Sequence, residues 1–280
     1  MSTVSIKNVW KEYAGQVILE QLNLEVPEQS FVSIVGPSGC GKSTFLRMLL
    51  SQEKPSRGEI LIDGQPLAEE PSAERGVVFQ RYSVFPHLTV AQNAALGIEF
   101  ERAPWLGKLF GQKKRQALEE AEHFLEAVGL VEARDKYPSA LSGGMQQRLA
   151  IAQALIKKPQ ILLLDEPFGA LDPGIRADMH ELMLNLWQES KMTIFLVTHD
   201  LREAFLLGTR LITFDRLRQN AEEVGYYGAT ITYDVPLQAS DPIKQQAEVF
   251  EAISGLAGPN IDSSKPSRRD DPVVNVTVVN

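Results

Sequence analysis

The sequence predicts an α/β fold with a parallel core sheet, an antiparallel β subdomain and a helical insert. Three observations carry that prediction. An apolar run at 31–35 leads into the glycine-rich stretch Gly36-Pro37-Ser38-Gly39-Cys40-Gly41-Lys42-Ser43-Thr44, and then into a helix-like segment over 44–50. Further apolar runs at 161–164, 193–197 and 210–214 alternate with helical periodicity, as parallel strands buried on both faces do. The block 86–157 holds helical segments without strands, and so reads as an insert.

In chain order, residues 4–10 and 22–26 alternate like two strands of an antiparallel pair, with a turn at 13–16. Residues 59–65 predict another strand with an Asp-Gly turn. A short buried strand over 76–80 ends in the polar Gln80. The pattern turns helical over 89–97 and again over 117–128, where Leu118, Ala121, Leu125 and Val128 recur at helical spacing. A helix begun after Gly144 continues through 149–156, and 178–187 is amphipathic. After about residue 218 the character changes. Residues 229–235 alternate as a strand, 242–253 suit a helix, and 255–272 are rich in Gly, Pro, Ser and charge, which predicts a disordered tail. The predicted division is a main domain over 1–218 with the insert at about 86–157, an extension of unassigned role over 219–255, and the tail over 256–280.

Composition sets bounds. The chain has 280 residues and a formal net charge of −8, which gives no support to nucleic-acid binding. Its single cysteine, Cys40, allows no internal disulfide and points to a reducing compartment, where the sequon at Asn275 carries no meaning. The first residues lack a signal-peptide apolar region, and no apolar run approaches the roughly 18 residues that span a bilayer. The four histidines (His87, His123, His180, His199) are scattered without metal-ligand spacing, which argues against a protein-built zinc site.

The chemistry starts at the glycine-rich stretch. The pattern G-x-x-x-x-G-K-[ST] is filled by Gly36, Gly41, Lys42 and Ser43. Glycines let the backbone wrap so that its N–H groups face phosphate oxygens, and the following helix adds its positive end. Gly36, Ser38, Gly39, Cys40, Gly41, Lys42, Ser43 and Thr44 thus form a predicted nucleotide cradle, with the Ser43 hydroxyl a Mg²⁺ ligand. Cys40 either has a thiol acidified by the helix end and Lys42, or only fills a small-residue position. Asp165 and Glu166 end an apolar strand, and ligands of open parallel sheets bind at strand carboxyl ends. Asp165 suits Mg²⁺, and Glu166 suits a water to be oriented or deprotonated. His199 and Gln80 end strands in the same way, His199 as a γ-phosphate contact. Ser142, Gly143 and Gly144, just before a helix, make a second anion-binding N-terminus. One nucleotide needs one phosphate loop. A second such feature suggests service to a nucleotide held by another copy, in a head-to-tail pair.

With these motifs in this order over roughly 4–218, the chain resembles the ATP-binding subunits of ABC transporters, which have a P-loop NTPase core. The resemblance implies that 36–44 is the Walker A loop and Gln80 the Q-loop glutamine, a Mg²⁺ and water contact. It further implies that 141–146 is the signature, 161–165 Walker B, Glu166 the catalytic glutamate, 169–172 the D-loop ending in Asp172, and His199 the switch histidine. Tyr13 falls where the family stacks an aromatic on adenine. It implies ATP and Mg²⁺ as cofactors. The implied partners are a second copy, integral membrane permease subunits and a periplasmic or extracellular solute-binding protein, at the cytoplasmic face of the inner (plasma) membrane. The chain is most similar in flavour to nitrate/sulfonate/taurine-type importers. Gln153 stands where those usually carry arginine, and 101–116 and 219 onward depart from them. The alternative, a soluble ABC ATPase acting on nucleic acid or chromosome structure, calls for long coiled coils between Walker A and the signature. The interval 45–140 has no sustained heptads.

The segment from Arg81 to Leu88 is apolar, aromatic and proline-interrupted, which suits a docking groove for a partner helix. The resemblance places the permease's coupling helix beside the Q-loop, with Phe85 and Leu88 as candidate contacts. In 101–116, Trp105, Leu106, Leu109 and Phe110 interleave with Lys108, Lys113, Lys114 and Arg115. They either reach the permease or membrane surface as a loop, or pack locally.

Overall fold

In the larger sheet, strands β3 (Phe31–Val35), β6 (Arg75–Val78), β7 (Ile161–Asp165), β8 (Thr193–Val197), β9 (Arg210–Asp215) and β10 (Thr230–Pro236) lie in the order β10-β9-β3-β8-β7-β6. All neighbours pair parallel except β10, which runs antiparallel to β9. A smaller antiparallel sheet has the order β2-β1-β4-β5, from β1 (Val4–Tyr13), β2 (Gln16–Val26), β4 (Arg57–Ile62) and β5 (Gln65–Pro66). The predicted Asp63-Gly64 turn joins β4 to β5, both residues having left-handed φ. The computed structural model describes residues 2–79, 84–103, 109–216 and 227–237.

The parallel strands read as unbroken apolar runs because both faces are covered. Period two still sorts them. Phe31, Leu162, Leu164, Ile194 and Leu196 enter one core with the helices, while Val32, Ile34, Leu163, Phe195 and Val197 enter a second core under the antiparallel sheet. The second core also holds Val4, Ile6, Leu22 and Leu24, the inward residues of β1 and β2, and Phe45 of α1 (Lys42–Leu49). The first holds residues of α2 (Val90–Arg102), α3 (Gly111–Ala127), α4 (Gly143–Leu155) and α5 (Pro173–Ser190). The helical block 86–157 thus shares one core with the sheet.

Side-chain caps mark where three of the helices begin. Thr89 and Gln92 form a reciprocal capping box on α2, a device worth about 1 kcal/mol. Ser142 caps α4, and Asp200 caps α6 (Leu201–Leu207), an element the sequence pattern did not disclose.

Two expectations are corrected. Residues past 218 do not all lie outside the main fold. β10 is the edge strand of the larger sheet, fixed by paired hydrogen bonds and a salt bridge from Arg210 to Asp234. The stretch 101–116 is not a loop throughout. Residues 101–102 end α2 and 111–116 begin α3, and a bidentate Arg102–Glu120 bridge joins the two helices. Leu109 is buried and Phe110 is exposed, while Trp105, Leu106 and Lys108 lie outside the described residues.

Candidate active site

The glycine-rich loop leaves β3 and ends at the start of α1. Gly41, the residue before that helix, has φ 96° and offers no side-chain cap, so the first N–H groups of α1 are free to hold an anion. At Gly36 a Cβ would stand 2.2 Å from the Phe214 carbonyl oxygen, so only glycine lets the loop pass β9. Lys42 is buried and donates from Nζ to the carbonyls of Gly36 (2.8 Å) and Pro37 (2.9 Å), which holds its charge over the loop.

The strand order β3-β8-β7 puts the loop beside the other predicted groups. Ser43 Oγ donates to Asp165 Oδ1 at 3.3 Å. Burial pushes the Asp165 carboxyl above its usual range and the Glu166 charge adds to this, while the Ser43 hydroxyl and Lys42 favour the ionised form. A hydroxyl and a half-buried carboxylate in contact suit Mg²⁺, which takes few protein ligands and keeps the rest of its shell for water and phosphate. Glu166 has φ 47°, a left-handed conformation rare outside glycine, and its N–H is fixed on the Val197 carbonyl at 2.9 Å. This bend turns its carboxylate toward the end of β8, where Oε2 lies 3.5 Å from His199 Nδ1. Tyr13 closes β1 and is 41% exposed, and its hydroxyl donates to the Glu53 carboxylate, with Thr44 of α1 also within bonding reach. Gln80 lies outside the described residues.

Ser142, Gly143 and Asp172 stand apart from this cluster. Ser142 caps α4 by accepting from the Met145 N–H, and Asp172 precedes α5 without a side-chain cap bond. All three are exposed, and the two helix starts are packed together: a Cβ on Gly144 would lie 2.4 Å from Ile175 Cγ2. Among the described residues, no hydrogen bond or ion pair joins 142–144 or Asp172 to the 36–44 loop.

Sequence reasoning missed Arg176. Its Nη2 donates to the Leu171 carbonyl at 3.1 Å and its Nη1 lies 3.5 Å from Asp200 Oδ2. One side chain therefore ties the turn before Asp172 to the residue after His199. A lone arginine on an amphipathic helix carried no signal of this.

The acidified-thiol reading of Cys40 is overturned. The residue is 3% exposed, and burial raises its thiol pKa above the ordinary value despite Lys42 Nζ at 3.9 Å. At neutral pH the thiolate is therefore scarce. Maleimide should modify Cys40 only as fast as the chain unfolds, leaving ATPase activity intact in native protein. Rapid stoichiometric labelling of folded chain would contradict this.

A family model described as ABC transporter matches residues 19–169, the span that holds the phosphate loop, the 142–144 turn and the Asp165–Glu166 pair. The chain is 43% identical over 196 residues to the nitrate import ATP-binding protein NrtD of Synechococcus elongatus, covering 70% of this chain and 69% of that one. It is 39% identical over 214 residues to the aliphatic sulfonates import ATP-binding protein SsuB of Bacillus cereus, covering 75% and 80%. Among solved structures, the dimeric ATP-binding cassette MJ0796 bound to ADP and Pi is similar with TM-score 0.68 and 32% identity, over 84% of this chain and 99% of that one. With the geometry above, these matches show that the chain belongs to the ABC transporter family as an ATP-hydrolysing subunit.

Proposed function

We propose that the chain powers solute uptake through a membrane permease, with two copies closing head-to-tail around two ATP molecules. The observation that carries this is the exposed surface formed by Ser142, Gly143 and Asp172, which among the described residues makes no bond to the phosphate loop of its own chain. Facing a second copy, the same groups would complete that copy's site. The similar cassette MJ0796 is dimeric with ADP and Pi, which supports the arrangement.

In this reading the loop amides and the start of α1 hold the phosphates. Lys42 exchanges the Gly36 and Pro37 carbonyls for outer phosphate oxygens. Ser43, Asp165 and Gln80 would hold Mg²⁺, which would supply positive charge to offset that of the phosphates. Glu166 orients a water and takes its proton as the water oxygen bonds to the γ-phosphorus and the bond to the ADP oxygen breaks. His199, beside Glu166, contacts the γ-phosphate, and Ser142 and Gly144 reach it from the other copy.

The permease would dock on a groove of about 280 Å³ beside β6. Phe79, Phe85, Gly97 and Phe100 line it, and Phe85 and Phe100 are 41% and 58% exposed. Leu88 does not line it. A partly apolar groove with exposed aromatics fits an amphipathic partner helix. No helix among the described residues is long and apolar enough to cross a membrane, and a peripheral place at the cytoplasmic face follows from permease docking. A solute-binding protein on the far side completes the proposed system, and the names of the relatives make a small nitrogen- or sulfur-bearing solute the proposed cargo class.

The test replaces Phe85 and Phe100 with serine in the transporter. Permease co-purification and uptake should be lost, while ATPase activity of the isolated subunit is retained. Normal assembly and uptake in the double variant would refute the docking assignment.

A further inference from the structure

Tyr13 does not stand alone at the end of β1. Lys11 and Tyr13 are two residues apart on one strand, across a register shift at 11–12, and their side chains meet. The Lys11 ammonium lies 4.8 Å from the centre of the Tyr13 ring. It is not free to swing away, because Nζ donates to the Lys54 carbonyl at 2.8 Å, lies 3.2 Å from Glu53 Oε2, and is largely buried. Glu53 accepts from the Tyr13 hydroxyl and also meets Arg47 at 3.5 Å. Burial alone would raise the Glu53 carboxyl, yet Tyr13, Lys11 and Arg47 together hold it below its usual range. The same surroundings push the Tyr13 phenol up, first by burial and then through Glu53, so its hydroxyl stays a donor.

The position of Glu53 is itself tied to the phosphate loop. Its N–H bonds the Arg47 carbonyl, in the last turn of α1, and α1 starts at Lys42. Eight helical residues span about 12 Å. One short helix thus sets the separation between the phosphate cradle at its start and the carboxylate that holds the Tyr13 hydroxyl beyond its end.

We propose that Lys11 and Glu53 are positioning residues for the nucleotide base: Lys11 occupies one face of Tyr13 and Glu53 fixes its hydroxyl, leaving a single exposed face on which adenine stacks. The proposal rests on the reading of Tyr13 as the base platform. It predicts that the two residues contribute to binding through the base and not through the phosphates.

The test measures affinity of the full-length chain for two probes, Mg-ATP and inorganic tripolyphosphate, which has phosphates but no base. Tyr13→Ala should weaken ATP about tenfold, the scale of base–aromatic stacking, and leave tripolyphosphate unchanged. Lys11→Met and Glu53→Ala should each weaken ATP severalfold, again sparing tripolyphosphate, and should add nothing in a Tyr13→Ala background. Because Lys11 is buried, Glu53→Gln serves as a milder second variant, with thermal melting to show that it is folded. Equal loss of both probes in the Lys11 and Glu53 variants, or no loss of either while Tyr13→Ala loses ATP selectively, would overturn the proposal and leave the platform standing. Unchanged ATP affinity in Tyr13→Ala would refute the platform itself.

Discussion

Glu166→Gln should bind ATP as the native chain does and hydrolyse it about 10²–10⁴-fold more slowly, the usual cost of losing a general base. The substitution keeps the size of the side chain, so the left-handed bend at 166 and its N–H bond to the Val197 carbonyl are preserved. What is lost is the charge that faces His199 at 3.5 Å and accepts the proton of the attacking water. With hydrolysis stalled, ATP-bound pairs should accumulate, visible as an ATP-dependent dimer peak in size-exclusion chromatography. The readout is single-turnover phosphate release alongside that peak. Turnover within tenfold of the native rate would remove Glu166 from the catalytic role.

Lys42→Ala should abolish nucleotide binding. Lys42 is the buried cation of the loop, and without it the phosphates meet backbone amides and the helix end alone. Ser142→Arg should act differently. Ser142 is exposed, makes no bond to the loop of its own chain among the described residues and is held as the cap of α4. ATP should therefore still bind to the isolated Ser142→Arg chain, while ATP-driven pairing and hydrolysis fail. Loss of the cap costs the helix about 1 kcal/mol, so a melting curve must accompany the assay. Mixing the two inactive proteins gives the sharper result. In a mixed pair the Ser142→Arg copy supplies an intact loop and the Lys42→Ala copy an intact 142–144 turn, so one of two sites should work. If both variants fold and pair yet the mixture stays inactive, each site is built within one chain and the head-to-tail reading is wrong.

The phosphate loop, the strand-end carboxylates and the strand–helix alternation were legible in the sequence for one reason: each is a local pattern. Gly36, Gly41, Lys42 and Ser43 act within one turn, and the apolar run ending at Asp165 and Glu166 fixes both residues at a strand end. The Asp-Gly dipeptide likewise disclosed the turn at 63–64, and periodicity the start of α2 near Thr89. Contacts between distant segments were not legible, because pairing and burial depend on which elements become neighbours. Only the strand order β3-β8-β7 brings Ser43 to Asp165 and Glu166 to His199. Only the pairing of β10 with β9 draws residues past 218 into the core sheet. The fate of Cys40 turned on burial, which outweighs the nearby lysine charge that sequence could see. The grip of Lys11 and Glu53 on Tyr13 likewise joins two segments some forty residues apart, through a helix whose ends the local pattern placed but whose packing the tertiary structure alone decided.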